Sequence, residues 1–420
     1  MKRDILLFVF IFAAFISRGQ EQTYDIYYPQ KIEAKDWKVR AQIYYDNHNN
    51  SNGFINEFTS AINQSKYLNQ ELKDRQSQSL GSSTLSGRSL KSGFDLYLNA
   101  KDPNKDLYYY FGLDHQQILD SRIDKNMVNL LLYGNQAYAG EQLSIENTEY
   151  SSVYFNRIKI GIGKRLGKGE LKHELSAKLG LNFGQNYDAV QVHHSKFYTH
   201  PQGDYLDIDF QAETQLADSV WGSLFTINGM GASIDLHYSV HQDKKFFLGV
   251  HIANIGFIHW NKSPYIAAAD SSFTFSGLEN DSLNQEQIPN DFSYNNLRNL
   301  LFTQPSHEAF TELLPFDIQL TGGVYFANGK FYMGMNTHFY PTLMATYRAE
   351  IFVSYKYMDF FSLTPIIGYN SYEQFHMGLA VGFELWDLIN IRAGSSYLNT
   401  MFNPNAKLGQ GGYVSVALVI

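Results

Sequence analysis

The feature that most constrains this chain is a two-residue rhythm of apolar side chains, held over runs too long for an ordinary soluble sheet. In 171–183, Leu171, Leu175, Ala177, Leu179, Leu181 and Phe183 alternate with Lys172, Glu174, Ser176, Lys178 and Asn182, and only His173 breaks the apolar face. In 374–385, Phe375, Met377, Leu379, Val381, Phe383 and Leu385 oppose Gln374, His376, Gly378, Ala380, Gly382 and Glu384. In 316–326, Phe316, Ile318, Leu320, Val324 and Phe326 face one way. Similar patterns occupy 37–46, 90–100, 106–115, 153–163, 231–241, 246–259, 330–340, 345–357, 361–370 and 389–398, with weaker ones at 188–198 and 204–214. Alternation of this kind puts successive side chains on opposite faces of a strand. Strands of soluble domains average about 5–6 residues, whereas a strand tilted across a bilayer needs about 9–11. The run lengths therefore predict an all-β fold, a transmembrane antiparallel β-barrel.

Composition agrees. Phe and Tyr number 31 and 30, yet the mean hydropathy is −0.30. No second apolar run approaches the roughly 18 residues of a spanning helix, which excludes a helical membrane protein. A barrel strand shows lipid only its alternate residues, so its average hydropathy stays low. Cys is absent, which excludes disulfides, thiol catalysis and thiolate metal sites.

The N-terminus reads as an export signal. Lys2 and Arg3 precede an unbroken apolar run from Ile5 to Ile16, and the small residues Ser17 and Gly19 suit cleavage before Gln20. That run is too short to cross a bilayer as a helix. The expected organisation is a signal peptide at 1–19, a periplasmic segment at 20–36 and the barrel at 37–420. Cleavage would move the formal charge from −8 to −10. So acidic a chain repels nucleic acid, leaving no nucleic-acid partner.

Connections supply a topology. Short polar turns lie at 101–105, 167–169, 200–203, 241–245, 327–329, 358–359 and 386–387, with Asn328-Gly329 a strong hairpin signal. Long connections lie at 47–88, 116–150, 215–230, 260–313 and 399–410. Barrels of this class keep short turns on the periplasmic side and use even strand numbers. Counting 264–277 as a spanning strand gives 17 and separates the termini, so it belongs to the outer loop. The count is then 16, or 14 if 188–198 and 204–214 do not span. Two outer segments have helical spacing: 54–72, with Phe54, Phe58, Ile62, Leu68 and Leu72, and 124–133, where Asp124 would cap a turn carrying Met127, Leu130 and Leu131. Such helices form a plug or lid, or pack on the rim. The last run, 411–420, places Val414, Val416, Leu418 and Ile420 on one face. It suits the terminal strand that assembly machinery reads, although Ile420 stands where an aromatic is usual.

Three stretches, LLYGNQAYAG (131–140), GASIDLHYSVHQDKKFFLGVHIANIGFIHWN (231–261) and LLPFDIQLTGGVYF (313–326), resemble a family of Bacteroidetes-type outer-membrane proteins known only as a domain of unknown function. That family is distantly similar in build to the long-chain fatty-acid channels. The shared motifs are structural: a Gly-Asn turn, a hairpin ending in Gly256-Phe257-Ile258 and Trp260, and Leu314-Pro315 before a strand. The resemblance implies a barrel and brings no catalytic residue.

Candidate chemistry is sparse. His193, His194 and Ser195 lie together, but no nucleophile signature surrounds them. Asp204, Asp207 and Asp209 offer clustered oxygens without a glycine-punctuated calcium loop. His237, His251, His259 and His376 are scattered over separate strands, so any cluster depends on register. GKRLGKGELK (163–172) lacks the strand–loop–helix context of a phosphate loop and reads as a periplasmic hairpin. Polar lumen or turn positions are the better reading of each. No catalytic, cofactor or metal residue is assigned, and no enzyme is expected. The expected function is an outer-membrane channel or transporter for small, including hydrophobic, molecules. The alternative is an accessory or scaffold barrel of a secretion or assembly complex. Expected partners are the lipid bilayer, a small hydrophobic ligand or other outer-membrane proteins.

Overall fold

The computed structural model describes residues 38–100, 106–167, 169–217, 226–275, 303–341, 344, 346–357, 360–372, 374–386 and 388–420. Among the described residues, nineteen strands form one antiparallel sheet. They are β1 (Val39–Ile55), β2 (Ser83–Asn99), β3 (Leu107–Asp124), β4 (Gln142–Leu143), β5 (Glu149–Leu166), β6 (Leu171–Thr199), β7 (Leu206–Ala217), β8 (Gly229–Gln242), β9 (Phe246–Trp260), β10 (Pro264–Phe275), β11 (Thr303–Ser306), β12 (Phe310–Leu313), β13 (Asp317–Phe326), β14 (Phe331–Tyr340), β15 (Thr346–Tyr357), β16 (Phe361–Asn370), β17 (Gln374–Leu385), β18 (Ile389–Ser395) and β19 (Lys407–Val419). β1 pairs with both β2 and β19, so the sheet closes on itself. The closed wall has 14 strands; β4, β7, β10, β11 and β12 are additional. The first and last described residues meet at the end that carries the short turns, where Lys38 and Val39 donate to the Ile420 carbonyl.

The alternation read in the sequence is the wall. On β5, Ile158, Ile160 and Ile162 point outward and are exposed, while Arg157 and Lys159 between them are buried. On β15, Ile351 is outward and exposed, while Glu350 and Phe352 are buried. A broad apolar belt on the outside of a closed sheet is a lipid-facing surface, because closure leaves no unpaired backbone edge in hydrocarbon. Aromatic rings gather at the short-turn end, where Phe326 stacks on Phe331 at 5.3 Å, Phe331 lies 4.8 Å from Tyr355 and Phe361 lies 5.2 Å from Phe383. Rings at that level match an interfacial girdle. Among the described residues no helix is long and apolar enough to cross a membrane.

The wall count is 14, the alternative in which 188–198 and 204–214 do not span, and one strand explains why it is not 16. β6 runs for 29 residues through both predicted runs, 171–183 and 188–198. Gly184-Gln185-Asn186, which looks like a turn, is absorbed as a register shift opposite Tyr154 and Phe155. The lower half of β6 pairs with β8 in the wall and its upper half pairs with β7 above it. The turn at 200–203 is therefore at the end opposite the other short turns, hereafter the outer end. β10 pairs along β7, which places 264–275 outside the wall as the parity argument requires.

The helical segments are α1 (Asn56–Asn63), α2 (Gln70–Ser79), α3 (Lys125–Tyr133) and α4 (Leu398–Met401). Asp124 caps α3, its carboxylate accepting from the Asn126 N–H at 2.8 Å. Phe58, Ala61, Leu72, Val128 and Leu132 form one buried cluster, so α1, α2 and α3 pack on each other at the outer end of the barrel. Asp124→Ala should cost about 1 kcal/mol through the lost cap. Thermal unfolding reads the cost, with faster proteolysis near 134–148 as the local signature.

Candidate functional site in the barrel lumen

Charge enters the wall on inward positions. In β5, Arg157 and Lys159 alternate with Ile158 and Ile160, so the period that turns isoleucine to lipid turns both cations inward. Arg157 and Lys159 are each 1% exposed. Arg157 donates to Asp114 of β3 at 3.1 Å, to Asp235 of β8 at 3.0 Å and to Asn254 of β9 at 2.6 Å. Lys159 Nζ lies 2.8 Å from Asp114. Four wall strands are thus tied through one guanidinium, whose planar fork suits several acceptors at once.

The partner Asn254 is placed by a bulge. The β8–β9 register shifts between Ile234 and Leu236, and Asn254 takes φ 62° there. Asn tolerates that left-handed conformation better than most residues. Its N–H donates to Asp235 at 2.9 Å, and its side chain donates to Gln116 at 3.1 Å and to the Pro315 carbonyl at 3.2 Å. On the other side of β9 the partner strand is itself broken, since β12 ends at Leu313 and β13 begins at Asp317. Pro315, which has no N–H to give to a ladder, occupies that gap.

Elsewhere the lumen is also filled. Glu350 accepts from Ser396 at 2.7 Å and lies 3.3 Å from His376 Nε2, all three being buried. Glu384 holds Lys356 at 2.8 Å and Arg392 at 3.1 Å. A layer of Tyr44, Tyr332, Phe352 and Tyr413, with the aliphatic Ile366, lies between strands β1, β14–β16 and β19. Inward glycines make room for it: a Cβ on Gly334 would come 2.7 Å from the Phe352 ring.

The outer mouth is apolar on one side. Val153, Phe155, Tyr187, Ala217, Ile258, Trp260, Phe310 and Leu314 form a buried cluster. Tyr187 lies 5.7 Å from Trp260 and 5.5 Å from Phe310. The Trp260 Nε1–H has no hydrogen-bond partner among the described residues, although a buried indole N–H usually finds one. A strut crosses the mouth: Tyr372, from the β16–β17 turn, donates to Asp120 of β3. On α3, Tyr133 donates to Asp74 of α2 at 2.8 Å; burial, and then that carboxylate, raise its phenol above the ordinary range.

The residues singled out in the sequence separate into two groups. Register brings His237 and His251 side by side, ring centroids 6.0 Å apart, both on inward positions. His259 faces outward and lies 2.9 Å from Thr311, and His376 sits in the separate Glu350 group. No nucleophile forms at 193–195. A register shift between Val192 and His194 displaces His193, while Ser195 is buried and its Oγ accepts from the Ile145 N–H at 2.7 Å. His194 bridges Glu146 at 2.9 Å and Asp209 at 3.4 Å. Asp204 lies 3.2 Å from His200, and Asp207 accepts from Thr274 at 2.5 Å, so the three aspartates each face a different partner. Among the described residues no group of His, Asp or Glu could hold a metal ion. Residues 163–172 form the β5–β6 hairpin at the short-turn end. Sequence reasoning missed Arg157, Asp114, Asp235 and Asn254. A usable signal was present, namely charged residues recurring on the non-apolar face of otherwise apolar strands.

A family model described as a family of unknown function, DUF5723, matches residues 36–389. The chain belongs to that family. No curated protein matches it in sequence. Among solved structures it is similar to the Pseudomonas putida toluene transporter TodX, with TM-score 0.44 and 8% identity over 96% of this chain and 94% of that one. It is also similar to the Ralstonia pickettii toluene transporter TbuX, with TM-score 0.41 and 6% identity over 91% and 89%. A third similar structure is the translocator domain of the autotransporter NalP from Neisseria meningitidis, with TM-score 0.32 and 8% identity over 92% and 90%.

Proposed function

We propose that this protein is exported by its N-terminal signal, inserts in the outer membrane and passes small apolar molecules between the outside and the barrel interior. The observation that carries the reading is the apolar basin at the outer mouth. Eight buried side chains, Trp260 and Phe310 among them, gather beside the broken β12–β13 edge. A barrel serving only as a scaffold needs no apolar basin on its inner face, since a polar lumen is satisfied by the charged groups already present. The cluster is packed shut in this state, and side-chain movement that parts it would offer an apolar molecule a surface it prefers to water, at about 25 cal/mol per Å² buried. Traffic further inward requires side chains to move, because the Arg157 group fills the lumen below. The protein is a gated passage in this reading and performs no chemistry on its cargo.

The test uses the folded full chain in liposomes carrying an interior reporter of a small neutral aromatic. Entry of the aromatic above that in protein-free vesicles is expected. Replacing Trp260 by Glu, which places a charge in the basin, should slow entry several-fold. Vesicles no more permeable than the blank, with the barrel shown to be folded by its heat-dependent gel migration, would end this reading.

A further inference from the structure

Below the Arg157 group, inward positions near the short-turn end regain contact with solvent. Ser176 and Lys178 of β6, His237 of β8 and His251 and Gly249 of β9 are partly exposed, whereas Gly180, Asn182, Asp235 and Ala253 just above them are buried. Solvent contact at this level is thus kept along β6, β8 and β9, while Tyr108, Tyr110 and Ser239 around it are buried. Register assembles the open patch. Ser176 pairs with His237, His237 pairs with His251, and Lys178 pairs with Asp235, two residues along β8 from His237. Lys178 and His237 are diagonal neighbours on one face, a separation of about 7–8 Å between backbones that a lysine side chain spans.

Lys178 is the unusual member. Its Nζ lies 4.0 Å from the centroid of the Tyr110 ring and 5.6 Å from that of Tyr97. Gly161, its neighbour on β5, leaves the space for its stem, since a Cβ there would come 2.8 Å from Lys178 Cγ. Among the described residues no carboxylate closes an ion pair with it. The carboxylates of this region are each engaged by another donor. Asp114 holds Arg157 and Lys159, Asp235 holds Arg157 and the Asn254 N–H, Asp95 accepts from the Tyr110 hydroxyl at 2.5 Å, and Glu174 accepts from the Tyr108 hydroxyl at 2.7 Å. What remains is an ammonium laid on two aromatic faces, with a hydroxyl and two imidazoles beside it. A cation over rings is stabilised by their negative faces and keeps its N–H groups for a further acceptor.

We propose that Lys178, His237 and His251, with Ser176, form a binding site for the carboxylate of a small aromatic acid, reached from the short-turn end of the barrel. The ammonium takes the negative charge, the imidazole N–H groups and the Ser176 hydroxyl supply the remaining donors, and the partly exposed Tyr97 is the aromatic side chain left to border the ring. The acid is bound and released without covalent change. The inference rests on the barrel reading and extends it by naming an acidic ligand class for the inner end of the lumen.

Benzoate and its neutral counterpart benzyl alcohol are the probes, titrated calorimetrically into the folded full chain in detergent. Benzoate should bind about tenfold or more tightly than benzyl alcohol, the worth of one charge-assisted hydrogen bond. Lys178→Met, which keeps the stem over the rings, should weaken benzoate about tenfold and leave benzyl alcohol unchanged, and Lys178→Arg should retain binding. His251→Asn is the second variant if Lys178→Met fails to fold, with a several-fold loss expected for benzoate alone. Equal affinity for the two probes, or benzoate binding untouched by these substitutions in folded protein, overturns the site. A barrel that binds benzoate but admits no neutral aromatic to vesicles defeats the transport reading and keeps this one; the converse result does the reverse.

Discussion

Arg157→Met should lower the stability of the folded barrel by about 3–5 kcal/mol, the loss typical when one partner of a buried ion pair is removed. The guanidinium is the shared partner of Asp114, Asp235 and Asn254. Removing it leaves the buried Asp235 with the Asn254 N–H, 2.9 Å away, as its one remaining hydrogen bond among the described residues. Asp114 keeps Lys159 at 2.8 Å and suffers less. The double variant Arg157→Met with Asp235→Asn keeps the Asp114–Lys159 pair and removes the orphaned charge, so at least half of the loss should return. Urea unfolding in lipid vesicles, followed by the gel shift between folded and unfolded barrel, measures both. A single variant within about 1 kcal/mol of the parent would mean that the guanidinium is hydrated in the membrane-embedded protein and that the lumen is not closed at this level.

The outer surface was legible from the sequence because one cause dominates it. Lipid rewards apolar atoms at every second position, and Ile158, Ile160 and Ile162, or Phe375, Met377 and Leu379, record that directly. The hairpin at Asn328-Gly329, the cap at Asp124 and the exclusion of 264–275 from the wall follow from equally local rules. The strand count followed only as two alternatives, 16 or 14, because a bulge and a turn share a composition. Gly184-Gln185-Asn186 satisfies both, and only the partner strands decide that β6 continues through it. The lumen was less legible still. Arg157 meets Asp235 across 78 positions of sequence and Asn254 across 97, through registers that the pattern of one strand does not contain. The pairing of His237 with His251 has the same origin: both were visible as residues, and neither as a neighbour of Lys178.

The assignment of faces makes a second strong prediction. Ile160→Arg should destabilise the barrel by about 2–4 kcal/mol, the cost of arginine on a lipid face near the bilayer midplane. The depth follows from counting. β5 ends at Leu166 on the short-turn side, and a spanning strand needs about 9–11 residues from that end, which centres the crossing near Ile160. Ile160 is 60% exposed on the outside of the closed wall, so its surroundings in the membrane are acyl chains. One residue away, Lys159 is an inward cation at 1% exposure, held by Asp114 at 2.8 Å. A positive charge is therefore accommodated at one position and opposed at the next, at nearly the same depth. Leu166→Arg, on the same outward face but at the interface, should cost no more than about 1 kcal/mol. Folding free energies of the three proteins in the same vesicles decide the matter. A steep loss for Ile160→Arg beside a small one for Leu166→Arg locates the hydrocarbon on β5. Equal small losses at both would place the outer face of β5 in water and remove the membrane from the description.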